Sequence, residues 1–350
     1  GNGADAAVRL PVGAARTALV VDPAASASLR WAQDAQMVVA AVDSPSVMTA
    51  MADYVCDGVG DEVEIQTAIN ALLINGGTIR LLPGNYTFAV NGRVTLSGSK
   101  PLGMFFDHGA IFKATAGHAA ASPLIAIEAS NCDLYNPTVQ GTGVKGNGIG
   151  IQLGNDNNTV HACAVYSATL SNLDSGIEFG VNLVNGNSSG DNIAIGGRIT
   201  NCKAGIRSRG FVNWVHGMFI SGCDYGIHGT TDRNSHRINV RDVTINQWST
   251  AGILIERGRG STFDGIWMEH TADQSVANPT AIVIGSAGNE VRNVEFGTAH
   301  IHLLGGPSAS AIANHDQYAL KLVNARGLRF NHLEMTDDLD NTQFFISKES

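Results

Sequence analysis

The sequence predicts an all-β fold, a right-handed parallel β-helix with three strands in each coil. The first observation is a short strand motif, a small residue followed by an apolar one, whose seven copies start 28, 29, 21, 26, 29 and 38 residues apart. A period of about 20 to 30 residues without a helix favours stacked coils. The copies begin at Gly148, Gly176, Gly205, Gly226, Gly252, Ala281 and Ala319.

A second pattern, φ-x-x-φ-x-φ with φ an apolar residue, predicts two strands joined by a sharp corner. The second x belongs to the residue types that tolerate a left-handed backbone, as a corner requires. Parallel strands joined by crossovers wind in the right-handed sense. The pattern begins at Leu134, Val215, Val240, Phe263, Val291 and Phe330, and its corner residues are Asn136, Gly217, Asp242, Gly265, Asn293 and His332.

The composition fits thin coils with many turns, because the 350 residues include 41 glycines and only 6% aromatics. This length would otherwise suggest two domains, but a solenoid grows in one dimension. The net charge of −9 is dispersed, so we expect no nucleic-acid partner. No apolar run reaches the length of a membrane span, and Gly1–Asp5 lacks the regions of a signal peptide. We therefore expect neither membrane insertion nor secretion by that route.

The five cysteines are unclustered and odd in number, which indicates neither a disulfide framework nor a zinc site. Cys202 and Cys223 hold the same place in successive copies of the repeat, and stacking would bring them about 4.8 Å apart. Free thiols packed inside the coil are one interpretation, and a disulfide is the alternative. We expect no metal ion and no cofactor.

A helix near residues 61–75 is predicted to cover the first coil. Asp61 and Glu64 have the spacing of a capping box, and Gly76 and Gly77 end the helix. Such a helix shields strand edges from other chains. Its apolar face would contain Ile65, Ala68, Ile69, Leu72 and Leu73.

Two segments resemble known proteins. Arg9-Leu-Pro-Val-Gly13 through Ala18–Asp22 to Ser28-Leu-Arg-Trp31 resembles an element of bacteriophage tail-fibre and appendage proteins, although Arg16-Thr17 replaces the usual Gly-Gln pair. The stretch from Ala52 to Tyr86 resembles the opening segment of the pectate-lyase-like β-helix superfamily, which phage tailspikes share. We therefore expect an N-terminal attachment or linker segment over 1–52, the β-helix over 53–340 and a C-terminal tail over 341–350.

Side chains alternate along each strand, so equal offsets in successive copies form columns on the surface. One column brings together Glu178, Arg207 and His228, with Arg209 beside them. Neighbouring unlike charges usually form a solvated ladder worth less than about 1 kcal/mol. The alternative interpretation is a site that binds an acidic sugar.

A second cluster would contain Asp242, Asp264, Trp267, Glu269 and Glu256. Two carboxylates about 5 to 9 Å apart beside an aromatic ring suit glycosidic cleavage. Glu256, Glu269 and Asp264 are the catalytic candidates, and Trp267 and Asp242 are candidates for carbohydrate binding. Alternatively, Asp242 only forms the corner and Trp267 fills a subunit contact.

The resemblance implies the fold but not a catalytic residue. The calcium-binding aspartates of pectate lyases are missing, as are the paired aspartates and Arg-Ile-Lys segment of polygalacturonases. Fold alone is poor evidence for activity.

The leading hypothesis is a phage or prophage tailspike-like appendage, in the virion tail or extracellular, that binds bacterial surface polysaccharide, with or without depolymerase activity. That class implies a homotrimer and attachment to other tail proteins through the N-terminal segment. Apolar material for the subunit contacts is expected at Phe219, Trp214, Trp248 and Trp267. Alternatives are a stand-alone polysaccharide lyase or glycoside hydrolase, and a structural spacer.

Overall fold

The computed structural model is a right-handed parallel β-helix, which confirms the predicted fold class. It describes residues 17–21, 29–33, 36–72, 76–155, 158–180, 189–231, 237–271, 279–304, 318–337 and 346–349. Within this part of the chain, no helix is long and apolar enough to span a membrane.

The N-terminal part contains a strand pair, the first strands of the stack and the two helices. Strands β1 (Thr17–Val21) and β2 (Leu29–Gln33) pair antiparallel. They are followed by β3 (Gln36–Ala40), α1 (Ser46–Thr49), β4 (Tyr54–Val55), α2 (Glu62–Leu72) and β5 (Gly77–Leu81). Because β3 pairs in parallel with both β4 and β5, the stack begins at residue 36, earlier than the expected boundary at 53. Most of the segment that resembles tail-fibre proteins, including residues 9–16 and 22–28, lies outside the described residues.

The remaining strands follow in chain order. The lower coils contain β6 Gly84–Thr87, β7 Val94–Leu96, β8 Leu102–Phe106, β9 Ala110–Lys113, β10 Pro123–Ile127, β11 Asp133–Tyr135, β12 Thr138–Gln140, β13 Ile149–Leu153, β14 Ala164–Ser171 and β15 Ser175–Phe179. The middle coils contain β16 Ile193–Thr200, β17 Ala204–Ser208, β18 Phe211–His216, β19 Phe219–Ser221, β20 Tyr225–Gly229, β21 Arg237–Arg241, β22 Thr244–Asn246 and β23 Ala251–Ile255. The upper coils contain β24 Gly258–Arg259, β25 Thr262–Asp264, β26 Ile266–Thr271, β27 Thr280–Ile284, β28 Val291–Arg292, β29 Glu295–Leu304, β30 Tyr318–Val323, β31 Ala325–Arg326, β32 Arg329–Asp337 and β33 Ile346–Glu349.

One strand of each coil joins a ten-stranded sheet that runs from β7 to β33, and this sheet contains the Gly-Ile motif. Its interior column, Ile177–Ile206–Ile227–Ile253–Ile282–Leu320, aligns six of the seven predicted copies. The first copy is wrong by two residues, because Ile151 rather than Ile149 lies opposite Ile177. Strand β33 pairs with β30, so the stack also continues into the expected tail.

The opening glycine of this motif is explained by packing. A Cβ atom on Gly205 would lie 2.5 Å from Ile220 Cγ2 and 2.7 Å from the carbonyl oxygen of Gly226. Both distances are far inside van der Waals contact. At Gly205 the ten-stranded sheet therefore approaches the strand opposite it too closely for a side chain to fit without a shift.

The other two strands of each coil form an eighteen-stranded sheet that bends at the predicted corner. Asn136 and Asp242 have φ angles of 55° and 53° there, as the pattern predicts. The predicted copy at Val291 is wrong, because Phe296 and not Val291 pairs with Phe263, the first residue of the preceding copy. At the corner position, strands β29 and β32 continue without a residue in the left-handed conformation. Asn293 is left-handed, but it forms a different corner that follows β28, the middle strand of a three-stranded sheet.

The interior is a continuous apolar core. Phe263, Phe296 and Phe330 stack with ring centroids 4.9 and 4.8 Å apart. All five cysteines are buried free thiols, which agrees with the first of the two interpretations.

Helix α2 covers the first coil with Ile65, Ala68, Ile69 and Leu72, as predicted. Leu73 lies outside the described residues. The predicted capping-box contacts of Asp61 are replaced, because its carboxylate accepts hydrogen bonds from the backbone amides of Gly58 and Thr87 at 2.7 and 2.6 Å. Asp61 therefore ties the helix to the first coil.

Candidate functional site

The outward column of the ten-stranded sheet is polar over four coils. The register aligns Gln152, Glu178, Arg207 and His228, followed by Leu254, Val283 and Lys321. The three predicted residues Glu178, Arg207 and His228 are therefore aligned on successive strands, and Gln152 precedes them. Because consecutive strands are about 4.8 Å apart, the side chains of this column are close neighbours.

The first three side chains of this column, those of Gln152, Glu178 and Arg207, line a depression of about 550 Å³, here called the charged depression. It includes both sequence-predicted arginines and two acidic residues. Its polar side chains are those of Arg93, Gln152, Asn155, Asp174, Glu178, Arg207, Arg209 and Thr230.

Glu178 is the centre of the charged depression. Its side chain is only 3% exposed. Oε1 accepts hydrogen bonds from Gln152 Nε2 at 3.1 Å and Arg209 Nη1 at 3.3 Å, and Oε2 accepts one from Arg207 Nη1 at 3.3 Å. A buried carboxylate needs such partners to offset its desolvation. The arrangement is a recessed network with fixed geometry, and it differs from the solvated ladder that was one of the two interpretations.

Asp174 is a member of this network that the sequence reasoning missed. Its Oδ2 atom accepts a hydrogen bond from Arg207 Nη1 at 2.7 Å, and its Oδ1 atom lies 3.5 Å from Lys203 Nζ. Since Arg207 Nη1 lies within 3.3 Å of oxygens from both acids, Asp174 Oδ2 and Glu178 Oε2 are at most about 6 Å apart. A signal was present in the sequence, because Asp174, Lys203 and Asp224 alternate in charge two residues before successive motif glycines.

His228 continues the column on the next coil and contacts Glu256. His228 Nε2 lies 2.9 Å from Glu256 Oε2, and the ring of Tyr225 stacks on the imidazole with centroids 4.8 Å apart. Glu256 directly follows β23, so it lies at the end of a strand of the ten-stranded sheet. Its predicted grouping with Asp264 and Glu269 is corrected, because those residues lie on β25 and β26 of the other sheet.

The eighteen-stranded sheet carries a groove of about 690 Å³, here called the polar groove. It crosses the strands that precede the corner, from β16 to β32. Exposed Trp214 and His216 of β18 line it, as does Arg241 of β21. Asp264 lines it too, and its Oδ1 atom accepts backbone hydrogen bonds from Gly265 at 3.1 Å and Thr298 at 2.9 Å.

The other predicted residues of this face lie beside the polar groove. Asp242 forms the corner, and its carboxylate lies 3.0 Å from His216 Nε2. Trp267 and Glu269 follow the corner on β26, and Trp267 is 44% exposed with its ring 5.5 Å from that of His300. Trp248, expected at the surface, is buried.

The described residues bring three potential metal-ligating atoms within 4.8 Å of one another at Cys56, Asp61 and Glu64, beneath the capping helix. Burial raises the pKa of the Cys56 thiol and that of the Asp61 carboxyl, and both Asp61 oxygens already accept backbone amides. This cluster is accounted for by the attachment of α2.

No protein-family model matches the sequence, and a search of curated proteins found no match. Solved structures do match. The Streptococcus pneumoniae surface protein and adhesin PfbA is 10% identical over 84% of this chain and 97% of its own, with a TM-score of 0.52. A 1,3-alpha-1,4-beta-D-galactose-4-sulfate-3,6-anhydro-D-galactose-2-sulfate 4 galactohydrolase is 13% identical over 90% and 95%, also at 0.52. The Acinetobacter baumannii phage AM24 tailspike is 10% identical over 94% of this chain and 58% of its own, with a TM-score of 0.45. The chain has the pectate-lyase-like parallel β-helix fold.

Proposed function

We propose that this protein is a tailspike-like appendage that binds bacterial surface polysaccharide in the charged depression. The observation that carries the proposal is the network in which Arg207 bridges two carboxylates, Asp174 and Glu178, on the floor of a depression open to solvent. Recognition of a sugar requires donors and acceptors that are fixed before the ligand arrives, since ordering them on binding would cost affinity.

The network contains both kinds of group. A guanidinium carries five N–H donors, so Arg207 can hold two acids through Nη1 and still donate to a sugar hydroxyl or carboxylate. Gln152 and the two acids supply acceptors. The partly exposed Leu254 and Val283 extend the same column, and they offer apolar contact for the ring faces or methyl groups of a longer glycan.

The resemblance of residues 9–31 to tail-fibre proteins supports a virion or extracellular location and attachment to other tail proteins through this segment. A homotrimer belongs to the same proposal. Sedimentation equilibrium of the purified chain tests it, and a monomer at all concentrations would contradict it.

A binding measurement tests the charged depression. Arg209 lies at the margin of the charged depression, where it contacts Glu178 and is 17% exposed. The variant Arg209→Gln therefore removes a hydrogen-bond donor while leaving Arg207 in place. We expect Arg209→Gln to bind purified capsule or lipopolysaccharide of the host at least about tenfold more weakly, because hydrogen bonds to charged groups contribute about 1.5 to 3 kcal/mol. The matched control is Arg80→Gln, which breaks an ion pair with Asp107 on the other sheet. Equal binding by the two variants would contradict the proposal.

Cleavage of the bound glycan is a second candidate function, and the separation of at most about 6 Å between the Asp174 and Glu178 carboxylates favours it. Reducing-end analysis detects cleavage, and ultraviolet absorbance of an unsaturated sugar distinguishes a lyase from a hydrolase. Loss of activity in Asp174→Asn assigns the chemistry to the depression. If Asp264→Asn and Glu269→Gln lose cleavage activity while Asp174→Asn keeps it, the chemistry is assigned to the sequence-predicted acids on the other sheet. Glu256→Gln tests the third predicted acid beside His228.

A further inference from the structure

We propose that the polar groove on the eighteen-stranded sheet is a second carbohydrate site, separate from the charged depression, and that it takes a linear, uncharged oligosaccharide lying parallel to the axis of the stack. The proposal goes beyond the function assigned above, because it concerns a different sheet and different residues.

An unsatisfied polar group on the groove wall is the first argument. Asn239 lines the polar groove although it is only 3% exposed. Its Oδ1 atom accepts a hydrogen bond from the Thr262 hydroxyl at 2.7 Å, whereas its Nδ2 atom is buried and has no hydrogen-bond partner among the described residues. An unmade hydrogen bond of a buried group costs about 1 to 3 kcal/mol. A ligand hydroxyl, which both donates and accepts, satisfies this amide in either orientation.

A tryptophan next to this amide is the second argument. Trp214 is the register neighbour of Asn239 on the preceding coil, lines the same groove and is 47% exposed. An aromatic ring beside a small number of fixed polar groups is the usual composition of a small-molecule site. Sugar rings offer such a pair an apolar face of C–H bonds and an edge of hydroxyls.

The length and direction of the groove are the third argument. It crosses six coils, from β16 to β32, and therefore extends about 24 Å at a strand spacing of about 4.8 Å. Each coil contributes similar outward positions, so the polar groups repeat along the axis. A linear chain of hexose rings, which advances by about one strand spacing per ring, presents its hydroxyls with a similar repeat.

Other ligand classes fit this surface poorly. A peptide that adds a β-strand needs a free sheet edge, but the groove lies on a sheet face whose strands are already paired on both sides. A nucleic acid needs a basic surface, whereas Arg241 shares the groove with Asp264 and Glu295. The mixed charge also gives no preference for an ionic sugar.

Fluorine NMR of the full chain labelled with 5-fluorotryptophan tests the proposal. The chain has four tryptophans, and single Trp→Phe variants assign their signals. The probes are cellopentaose, maltopentaose and chitopentaose at millimolar concentrations. We expect at least one probe to shift the Trp214 signal while the buried Trp248 and the equally exposed Trp267 stay unchanged. No shift of Trp214 with any of the three, or a shift confined to Trp267, overturns the proposal.

Two variants separate binding from folding. Trp214→Ala should weaken the binding of the responding probe about tenfold, and Phe105→Ala, which removes an exposed aromatic ring of the same sheet outside the polar groove, is its matched control. Asn239→Val should weaken it at least about fivefold. The melting temperature should change little, because the loss of the hydrogen bond from the Thr262 hydroxyl is offset by the removal of the unsatisfied Nδ2 group. Unchanged affinity in Asn239→Val contradicts the proposal. Arg209→Gln should leave probe binding intact, so failure of the charged depression and failure of the polar groove give different results.

Discussion

Replacing Glu178 and Arg207 by glutamine, singly and together, should reveal a strong energetic coupling inside the charged depression. Glu178→Gln keeps the shape of the side chain but turns one of its oxygens into a donor that faces an arginine. Arg207 and Arg209, which are 21% and 17% exposed, can recover part of the loss from water. We therefore expect this variant to lower the free energy of unfolding by about 2 to 3 kcal/mol.

Arg207→Gln should cost more. It removes the group that bridges Asp174 and Glu178, and it leaves the side chain of Glu178, only 3% exposed, with fewer partners. Breaking a buried pair in this way typically costs about 3 to 5 kcal/mol. In the double variant the uncompensated carboxylate of Glu178 is gone. The free energy of unfolding that the double variant loses should therefore be smaller than the sum of the two single losses by at least about 1 kcal/mol.

The measurement is urea unfolding of the three variants and the wild type, followed by circular dichroism and by tryptophan fluorescence. Free energies are compared where the two probes give coincident transitions. The matched control is the cycle of Arg80→Gln and Asp107→Asn, an ion pair whose arginine is 49% exposed, and its coupling should stay below about 1 kcal/mol. Additivity of the Glu178 and Arg207 costs within about 0.5 kcal/mol would refute the reasoning.

Three further predictions concern the core, the motif glycines and the cap. All five cysteines are buried, and burial raises the pKa of the Cys163 thiol to about 12. Ellman's reagent should therefore find five thiols in denaturant and almost none in the folded chain. Rapid reaction before unfolding would contradict the packing. Gly205→Ala should destabilise the chain by about 1 to 3 kcal/mol in thermal unfolding, because the added methyl group would clash with Ile220. The control Ala281→Gly, at the same motif position, should cost about 1 kcal/mol or less. Equal costs would argue against the clash. Burial also raises the pKa of the Asp61 carboxyl in the folded state. The contribution of Asp61 to stability is therefore fully present below the unfolded pKa of about 3.9 and is lost as the pH rises through the folded value. The stability of the wild type minus that of Asp61→Asn should fall as the pH rises above about 4, and a constant difference would contradict this.

The fold could be predicted from the sequence because each coil repeats the same two physical requirements. The motif glycines mark the close approach of two sheets, and the left-handed corner residues mark a bend, so both leave a periodic signal. The register was less certain at the first motif copy, where Gly148-Ile149 and Gly150-Ile151 fit the same pattern. Only the pairing of Ile151 with Ile177 distinguishes the two alternatives. Since side chains alternate along a strand, a shift of two residues keeps the interior pattern and changes only the outward neighbours.

The candidate site was harder to predict, because surface columns depend on which sheet a residue joins. Glu178, Arg207 and His228 occupy the same offset in consecutive copies, and the structure aligns them as expected. Glu256 and Glu269 are close in sequence, but β24 and β25 lie between them, and the chain passes from one sheet to the other. Nearness along the chain is therefore a poor guide within a coil, whereas equal offset between coils is a good one.

Stacked coils also explain how one chain can carry two independent surfaces. In a solenoid each coil contacts mainly its neighbours, so a substitution acts locally along the stack. The charged depression uses outward positions of the ten-stranded sheet around β13 to β17, and the polar groove uses outward positions of the other sheet from β16 to β32. Their side chains point away from a shared apolar interior. If both surfaces bind one polysaccharide, the second contact becomes intramolecular and the apparent affinity exceeds that of either surface alone. The double variant Arg209→Gln and Trp214→Ala should then lose more affinity for a long polysaccharide than for a pentasaccharide, and equal losses would mean that the two surfaces act on separate ligands.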